Sequence, residues 1–213
     1  MSDSLPILSL LETRVLGTLV EKQRTVPDTY PLSLNTLAAG CNQKTSRHPV
    51  LEAGEPEILL ALENLKELGL VSEVSGSRVV RFAHNFEKVL GVPTQASALL
   101  TVLMLRGPQT AGELRLNCER LHKFADISAV EAFLEELAAR SDGALVIELP
   151  RLPGARENRW AHLLSGQPAI ESGSGGRGAA ASSAQEIDEL RSRVVVLEAE
   201  VGALREIVDR LLG

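Results

Sequence analysis

The side chains that most often act as nucleophiles or metal ligands are few in this sequence and lie far apart. Its two cysteines, Cys41 and Cys118, form no C-x-x-C pair, and its four histidines are scattered along the chain. Neither residue type has the spacing of a zinc site or of a Cys/His catalytic pair. The glycines of segment 173–178 follow no predicted strand, so they do not match a phosphate-binding loop. The residues therefore predict a protein that is not an enzyme and has no metal or cofactor.

A polar segment at residues 42–48 carries groups suited to binding an anion. It reads Asn-Gln-Lys-Thr-Ser-Arg-His and contains no apolar side chain. Side chains of these types contact phosphate oxygens in protein–DNA complexes, so the segment is a candidate DNA contact. The candidate residues are Lys44, Thr45, Ser46 and Arg47. The alternative is that Asn42 and Thr45 hydrogen-bond the local backbone and hold an unusually long connection in shape.

Arginines also mark two predicted β-hairpins. The first hairpin has a Ser-Gly-Ser turn at residues 75–77, and the second carries Pro153 and Gly154 at its tip. The arginines on or beside them are Arg78 and Arg81 on the first hairpin and Arg151, Arg156 and Arg159 on the second. Arginine on a β-ribbon can enter a minor groove or clamp a phosphate. The commoner alternative is that these arginines form the charged solvent face of each hairpin.

The outer faces of two predicted helices, near residues 56–69 and 128–140, are acidic. The acidic residues are Glu57, Glu63 and Glu67 on the first helix and Glu131, Glu135 and Glu136 on the second. Carboxylates beside phosphates weaken DNA binding, and base reading by Glu normally needs neighbouring Arg or Lys. We therefore do not expect either helix to insert into a major groove.

The elements that position these residues are predicted to occur twice in the same order. A shift of 77 residues superimposes four residue pairs of matching type. The pairs are Pro31 with Pro108, Ser33 with Thr110, Leu37 with Leu114 and Cys41 with Cys118. Each copy has three helices with apolar residues at helical spacing, followed by a hairpin. This order is typical of a winged helix, so the predicted fold is mainly α with small β-hairpins, arranged as two tandem winged helices.

Capping signals predict where several of these helices begin. The predicted caps are Ser9 with Glu12, Ser33, Thr110 with Glu113, and Ser128 with Glu131. The first helix is expected to end near Lys22. The second is expected to end at Gly40, in the left-handed conformation that glycine allows.

Three residues with reactive or polar groups are predicted to belong to the core. Cys41 and Cys118 occupy equivalent places at the ends of second helices, where a small apolar residue packs inward. Trp160 alternates with the inward positions of its strand. We therefore expect these residues to support the fold and to take no part in redox chemistry.

Composition limits where the protein acts. The 213 residues carry a net charge of −6 and only 3% aromatic residues, which argues against coating nucleic acid through bulk charge or base stacking. No apolar run reaches the roughly 20 residues needed to cross a bilayer, and no basic segment precedes a signal-peptide core. We expect a cytoplasmic protein with no membrane contact.

Composition also divides the chain into regions. Segment 172–183 is rich in Gly, Ser and Ala and offers no apolar core. We predict a first winged-helix domain at residues 1–92 and a second at 93–166. A flexible linker is predicted at 167–185 and a coiled-coil helix at 186–213.

The last segment has the most regular pattern in the sequence. Apolar residues recur at alternating spacings of three and four, with β-branched residues at every a position and leucine at every d position. These residues are Ile187, Leu190, Val194, Leu197, Val201, Leu204, Val208 and Leu211. The pattern favours a parallel homodimer, in which the charges at e and g positions attract one another. A trimer and a helix folded back on its own body are the open alternatives.

Five stretches of the sequence resemble one family of bacterial proteins. They are Leu11–Gly17 (followed closely by Glu21–Gln23, counted with it as one stretch), Tyr30–Ser33, Cys41–Val50, Leu105–Arg115 and His162–Gly166. Together they resemble the YceH-like family of uncharacterised bacterial proteins over about residues 9–166. The resemblance implies a tandem winged-helix body, often followed by a coiled-coil segment. It implies no activity, and therefore no catalytic or binding residues.

Two functions remain as hypotheses. The first is a DNA-associated regulator that contacts the backbone or the minor groove through the polar segment and the hairpin arginines. The second is a protein-interaction scaffold that uses the acidic third helices, as winged-helix subunits of chromosome-condensation complexes do. The fold and the arginines favour DNA, by analogy of fold, whereas the acidic total and the Glu-lined helices favour the scaffold.

Overall fold

The computed structural model describes residues 7–74, 79–151 and 154–168 of the chain. In this part, the first copy of the repeat consists of helices and strands in the order α-β-α-α-β-β. They are α1 (Leu10–Thr25), β1 (Leu32–Ser33), α2 (Leu34–Cys41), α3 (Glu55–Glu67), β2 (Val71–Val74) and β3 (Arg81–His84). A short 3-10 helix at Pro27–Thr29 follows α1.

The second copy follows a five-residue connecting helix, α4 (Phe86–Leu90). Its elements are α5 (Thr94–Arg106), α6 (Ala111–Asn117), α7 (Ile127–Ala138), β4 (Val146–Leu149) and β5 (Arg159–His162). The first copy forms a three-stranded antiparallel sheet in the order β1-β3-β2, and the second forms the two-stranded pair β4-β5. The prediction of a mainly α protein with small antiparallel sheets is confirmed.

Two predicted capping boxes are confirmed. The backbone N–H of Ser9 donates to Glu12 Oε2 at 2.6 Å, and the N–H of Glu12 donates to Ser9 Oγ at 3.2 Å. The same reciprocal pair joins Thr110 and Glu113 at 2.9 and 3.2 Å. Each pair satisfies N–H groups that the first turn of a helix leaves without an intrahelical acceptor. Ser33 also caps α2, as predicted.

The predicted capping box at Ser128 is wrong. Asp126 caps α7 instead: it has an extended backbone, and its Oδ1 accepts the N–H of Ala129 at 2.8 Å. The helix therefore begins at Ile127, and Ser128 lies within its first turn. A carboxylate is a strong acceptor for these N–H groups and is favoured by the positive end of the helix dipole.

The ends of the first two helices also differ from the prediction. Helix α1 continues to Thr25, one turn beyond Lys22. Helix α2 continues through Gly40 to Cys41, and Gly40 keeps a helical backbone. A Cβ at Gly40 would lie 2.6 Å from Thr18 Cγ2, so this glycine is needed for the close approach of α2 to α1 and does not end the helix.

The returning strand of the first hairpin, which the sequence predicts at residues 79–82, lies two residues later, as β3. It pairs Leu32 with Phe82 and continues to His84, whose N–H donates to the hydroxyl of Tyr30 at 2.7 Å. Val79 and Val80 are about half exposed and precede the strand. The third strand, β1, was not predicted, and its pairing with β3 sets the register that the local pattern left open.

The repeat predicted from the 77-residue shift is visible in the backbone. Leu32 pairs with β3, and the equivalent Gln109 forms an isolated antiparallel bridge with Trp160 of β5. The two backbone hydrogen bonds of this bridge measure 3.1 and 2.7 Å. The second copy thus has a single bridge at the place where strand β1 pairs with β3 in the first copy.

A shared core joins the two copies. Helix α1 packs against α2, α3 and α5. A Cβ at Gly17 would lie 3.1 Å from Leu105, so glycine allows α1 and α5 to cross closely. Backbone bonds from Leu8 to Leu164 and from His48 to Leu105, each 2.8 Å, add further links. The described residues accordingly belong to one compact unit.

All eight heptad residues, from Ile187 to Leu211, lie outside the described residues, so the coiled coil stays a prediction. Among the helices of the described segments, none combines the length and the apolar character that crossing a bilayer requires.

Candidate nucleic-acid interface

The polar segment 42–48 is the first part of the connection between α2 and α3. One side chain, that of Asn42, joins the two ends of this connection. The amide of Asn42 donates to the carbonyl of Ala53 at 2.8 Å and accepts the N–H of Ala53 at 2.9 Å. These two hydrogen bonds join the start of the connection between the two helices to its end. The alternative interpretation therefore holds for Asn42, which fixes the connection through the backbone of Ala53, and the described contacts include no such bond from Thr45.

Arg47 lies in the interior, which changes the role assigned to it from the sequence. Its guanidinium donates to both carboxylate oxygens of Glu21, at 2.6 and 3.1 Å, and to the carbonyl of Gly40 at 3.2 Å. The side chain is fully buried. All of these donors are directed inward, so Arg47 anchors the loop to α1 and α2 and presents no group to a phosphate.

A second buried arginine, Arg14 of α1, holds the same loop. It donates to the carbonyl of Cys41 at 3.0 Å and to that of Pro49 at 2.6 Å. Burial, with the nearby charge of Arg47 adding to it, lowers the pKa of Arg14. Sequence reasoning missed this residue, although its position one turn before the buried Thr18 placed it on an inward face.

The carboxylate of Glu21 balances this buried positive charge. Burial opposes its ionisation, but the hydrogen bonds and the charge of Arg47 outweigh that effect and lower the pKa of Glu21. Lys22 adds a further ion pair at 3.2 Å. Glu21 is therefore ionised at neutral pH and is already paired.

Lys44, Thr45 and Ser46 remain exposed on the loop. Ser46 has a left-handed backbone with φ of 60°, and its hydroxyl accepts a hydrogen bond from Arg106 of α5 at 2.9 Å. Thr45 and Ser46 line a cleft of about 320 Å3 between the two copies. Thr45 and Ser46 therefore lie beside cations from distant elements, and the sequence pattern did not predict this proximity.

That cleft brings together three cations. Its charged lining residues are Glu21, Lys22, Arg106 and Arg120, and its uncharged polar ones include Gln43 and Asn117. Lys22 lies near the end of α1, Arg106 at the end of α5, and Arg120 just after α6. No sequence motif connects these positions, because they come from elements up to about one hundred residues apart.

The first hairpin offers less positive surface than its sequence indicated. Arg81 is half-buried, and its Nη1 donates to the carbonyl of Pro31 at 2.8 Å. This bond ties β3 to the residue before β1. Arg78 lies outside the described residues.

The second hairpin carries exposed arginines with carboxylates beside them. Arg151 and Arg156 are exposed and line a hollow of about 410 Å3. Three carboxylates line the same hollow: Glu131, Glu148 and Glu157. Arg159 is half-buried on β5. Within the ranges that the structure describes, none of these arginines lies within 4.0 Å of a carboxylate, so their donors are free to bind a ligand.

The outer faces of α3 and α7 are acidic and exposed, as predicted. Glu57 is used within its own helix, where it accepts the N–H of Gly54 at 2.7 Å. Lys66, the basic residue of the α3 face, pairs with Glu73 of β2 at 2.7 Å. The α3 face also exposes Leu59 and Leu60, at 40% and 61% of their surface.

The two cysteines and Trp160 lie in the core, as predicted. Cys41 and Cys118 have no exposed surface, and burial raises the pKa of Cys41 to about 11 and that of Cys118 to about 12. A buried thiol is uncharged at neutral pH and is a poor nucleophile. In the described segments, no three His, Cys, Asp or Glu residues are grouped to hold a metal ion.

Comparison with known proteins gives a consistent family assignment. Residues 8–155 match the family model described as protein of unknown function, DUF480. A UPF0502 protein of Dechloromonas aromatica (strain RCB) is 75% identical over 208 residues, which cover 98% of this chain and 97% of that protein.

Relatives in another genus extend this similarity. A UPF0502 protein of Burkholderia orbicola (strain MC0-3) is 58% identical, with 96% of this chain and 87% of that protein covered. One of Burkholderia pseudomallei (strain 668) is 59% identical, with 95% and 86% covered. The resemblance to an uncharacterised bacterial family is thus confirmed, and the chain belongs to the DUF480 family, whose relatives in these bacteria are UPF0502 proteins.

Proposed function

We propose that this protein is a non-enzymatic, DNA-associated regulator built from two tandem winged helices. The observation that carries the proposal is the repeated order of three helices and a hairpin, with the β1 pairing of the first copy retained as the Gln109 bridge of the second. This order is typical of a winged helix, whose commonest use is contact with DNA. The step from fold to function is an analogy, so it needs a direct test.

The exposed cations define a DNA-contacting surface smaller than the sequence indicated. We place it at Lys44 on the loop and at Arg151 and Arg156 on the second hairpin, where the side chains are exposed. Thr45 and Ser46 can add hydrogen bonds to phosphate oxygens. Arg47 and Arg81 are left out of this surface because their donors already bind Glu21 and Pro31.

Carboxylates near the arginines predict weak, salt-sensitive binding. Glu131, Glu148 and Glu157 share the hollow of Arg151 and Arg156 and repel phosphates. A homodimer formed through the heptad segment would present this surface twice and raise the affinity through effective concentration, without new contacts. The proposal therefore includes the parallel coiled coil.

The test is a titration of mixed-sequence duplex DNA at low and moderate salt. We expect the parent protein to bind at low salt, with log K falling by about 0.9 per log unit of salt for each phosphate neutralised. The Arg151→Ala/Arg156→Ala variant should bind several-fold more weakly. The matched control is Lys88→Ala/Lys123→Ala, which removes two exposed cations outside the proposed surface. Equal binding by the two variants would reject the hairpin as a DNA contact.

A second candidate function, a protein-interaction scaffold, is favoured by the outer face of α3. Leu59 and Leu60 are exposed there beside Glu63 and Glu67, one to two turns further along the helix. An apolar centre with an acidic rim suits a basic, amphipathic segment of a partner protein. Loss of partner capture in Leu59→Ser/Leu60→Ser, with DNA binding absent from the parent, would favour this function.

A further inference from the structure

The cleft between the two copies has the size and the charge of a small-ligand site. Its volume of about 320 Å3 falls at the lower end of the range for small-molecule pockets. Part of its wall is apolar, from Val26, Val102, Leu105 and Leu121. The remainder is polar, and most of its charged groups are cationic.

The one carboxylate in the cleft does not cancel this positive charge. Glu21 is held by Arg47, which lies behind the wall and is not a lining residue, at 2.6 Å. Arg47 therefore offsets the charge of Glu21 from the interior. Lys22, Arg106 and Arg120 remain as the positive groups that an entering ligand meets.

The three cations of the cleft have hydrogen-bond donors that contacts within the described part of the protein do not occupy. Arg106 donates from Nη2 to Ser46 Oγ at 2.9 Å, which leaves its other guanidinium donors without a hydrogen-bond partner among the described residues. Lys22 pairs with Glu21 Oε2 at 3.2 Å and reaches Gln43 Oε1 at a long 3.4 Å. Arg120 makes no hydrogen bond or ion pair with the part of the chain that the structure describes. Several donors thus stay available to an anion.

We infer that this cleft binds a small phosphate-bearing molecule, with Lys22, Arg106 and Arg120 around its phosphate and the apolar wall against its uncharged part. Charge-assisted hydrogen bonds from two arginines and a lysine suit the three oxygens of a phosphate group. The hydroxyls of Thr45 and Ser46 supply further donors at the same cleft.

A ligand at this place would connect the two copies of the repeat. Lys22 and the loop belong to the first copy, whereas Arg106 and Arg120 belong to the second. Binding therefore restrains the copies relative to each other and stabilises the folded state by mass action. This inference does not depend on the proposed association with DNA.

The experiment uses the full chain with AMP and pyrophosphate as phosphate-bearing probes and adenosine as the matched probe without phosphate. Binding is measured by calorimetric titration and by the rise in thermal unfolding temperature. We expect saturable binding of AMP and pyrophosphate, with a higher unfolding temperature, and none of adenosine. Arg106→Gln and Arg120→Gln should each weaken binding about tenfold, and Lys88→Gln, outside the cleft, should leave it unchanged.

The outcomes separate this inference from the DNA proposal. Arg120→Gln keeps the inference falsifiable if Arg106→Gln disturbs the loop, because Arg120 is exposed and makes no hydrogen bond or ion pair with the described residues. The inference is overturned if neither phosphate probe binds saturably, or if Arg120→Gln binds them as the parent does. It is also overturned if only duplex DNA binds and Arg120→Gln weakens that binding, since the cleft would then be part of the DNA surface.

Discussion

At the scale of single residues, the pair of Arg47 and Glu21 shows how a side chain suited to phosphate is used for the fold. The guanidinium has no exposed surface, and its acceptors lie on two different elements. Lys44, three residues earlier in the same loop, has no such partners and is exposed. Two cations of one polar segment thus have different roles, which depend on what lies beneath the loop.

Removing the guanidinium of Arg47 should destabilise the protein. In Arg47→Ala, Glu21 keeps only Lys22 as an ionic partner in a largely buried site, so we expect the free energy of unfolding to fall by about 2 to 3 kcal/mol. Urea unfolding measures this change. Lys44→Ala is the control, and it should stay within about 0.5 kcal/mol of the parent. Similar values for both variants would contradict the anchoring role of Arg47.

Two half-buried histidines, His84 and His162, predict that stability falls in mild acid. Burial lowers the pKa of His84 to about 4, with a smaller opposing effect of Glu87, and burial also lowers the pKa of His162 to about 4. The unprotonated ring of His84 accepts the N–H of Phe86 at Nδ1. Protonation of Nδ1 removes this bond, so the folded state favours the neutral ring.

The sign of the pH dependence follows from these lowered values. The unfolded state takes up protons near the ordinary pKa of 6.5, whereas the folded state resists until about 4. Stability is therefore complete above about pH 6.5 and falls between there and pH 4, by up to roughly 3 kcal/mol for each histidine. Unfolding free energies at several pH values should show a smaller slope in His84→Gln and in His162→Gln. His48→Gln, at an exposed site, should keep the parental slope.

At the scale of elements, the approach of α2 to α1 depends on Gly40. Alanine normally stabilises a helix interior relative to glycine by about 1 kcal/mol. At Gly40, however, the added Cβ would lie 2.6 Å from Thr18 Cγ2, and both residues are buried. The steric cost of this contact outweighs the gain in helix propensity.

We expect Gly40→Ala to lower the free energy of unfolding by about 1 to 3 kcal/mol. Thr18→Ser removes Cγ2 and keeps the hydroxyl that contacts Cys41, so Thr18→Ser/Gly40→Ala should regain most of the loss. Gly112→Ala is the control on α6, where a Cβ has at least 3.8 Å of space and alanine should stabilise the protein. Denaturant unfolding of the parent, the two single variants and the double variant measures the coupling. Additive effects of the two changes would show that Thr18 is not the obstacle.

At the scale of the whole molecule, the heptad predicts a homodimer. The eight apolar residues favour two parallel strands, although Gly202 within the helix costs about 1 kcal/mol relative to alanine. Light scattering on the full chain should report twice the mass of one chain. Leu197→Asp/Leu204→Asp places charges at two d positions and should give a monomer.

The matched control for this variant adds the same two charges away from the seam. Ser192→Asp/Ala199→Asp changes two f positions of the heptad, which a parallel coiled coil would place on its outer side, so this variant should remain dimeric. A parent protein with the mass of a single chain would contradict the predicted dimer. Monomers from both variants would show that added charge, and not the loss of d-position leucines, separates the chains.

Much of the secondary structure is encoded in short stretches of sequence. The capping boxes at Ser9 and Thr110 follow from hydrogen bonds within one helical turn, and the inward leucines follow from apolar spacing along each helix. Such local patterns are predictable because the deciding residues lie within about four positions of one another. The prediction at Gly40 was wrong because the deciding group, Thr18, lies on another helix, whereas at Ser128 a stronger cap, Asp126, lies two residues earlier in the chain.

Local sequence patterns predict the three helices and the hairpin of each copy, most core positions and the residue types that can meet an anion. Which of those cations are free depends on how distant elements pack together. Arg47 is paired with Glu21, and Arg106 and Lys22 meet at one cleft although they come from separate copies. The physical reason is that backbone conformation responds to near neighbours, whereas the partner of a charged side chain is set by elements that pack together from distant parts of the chain.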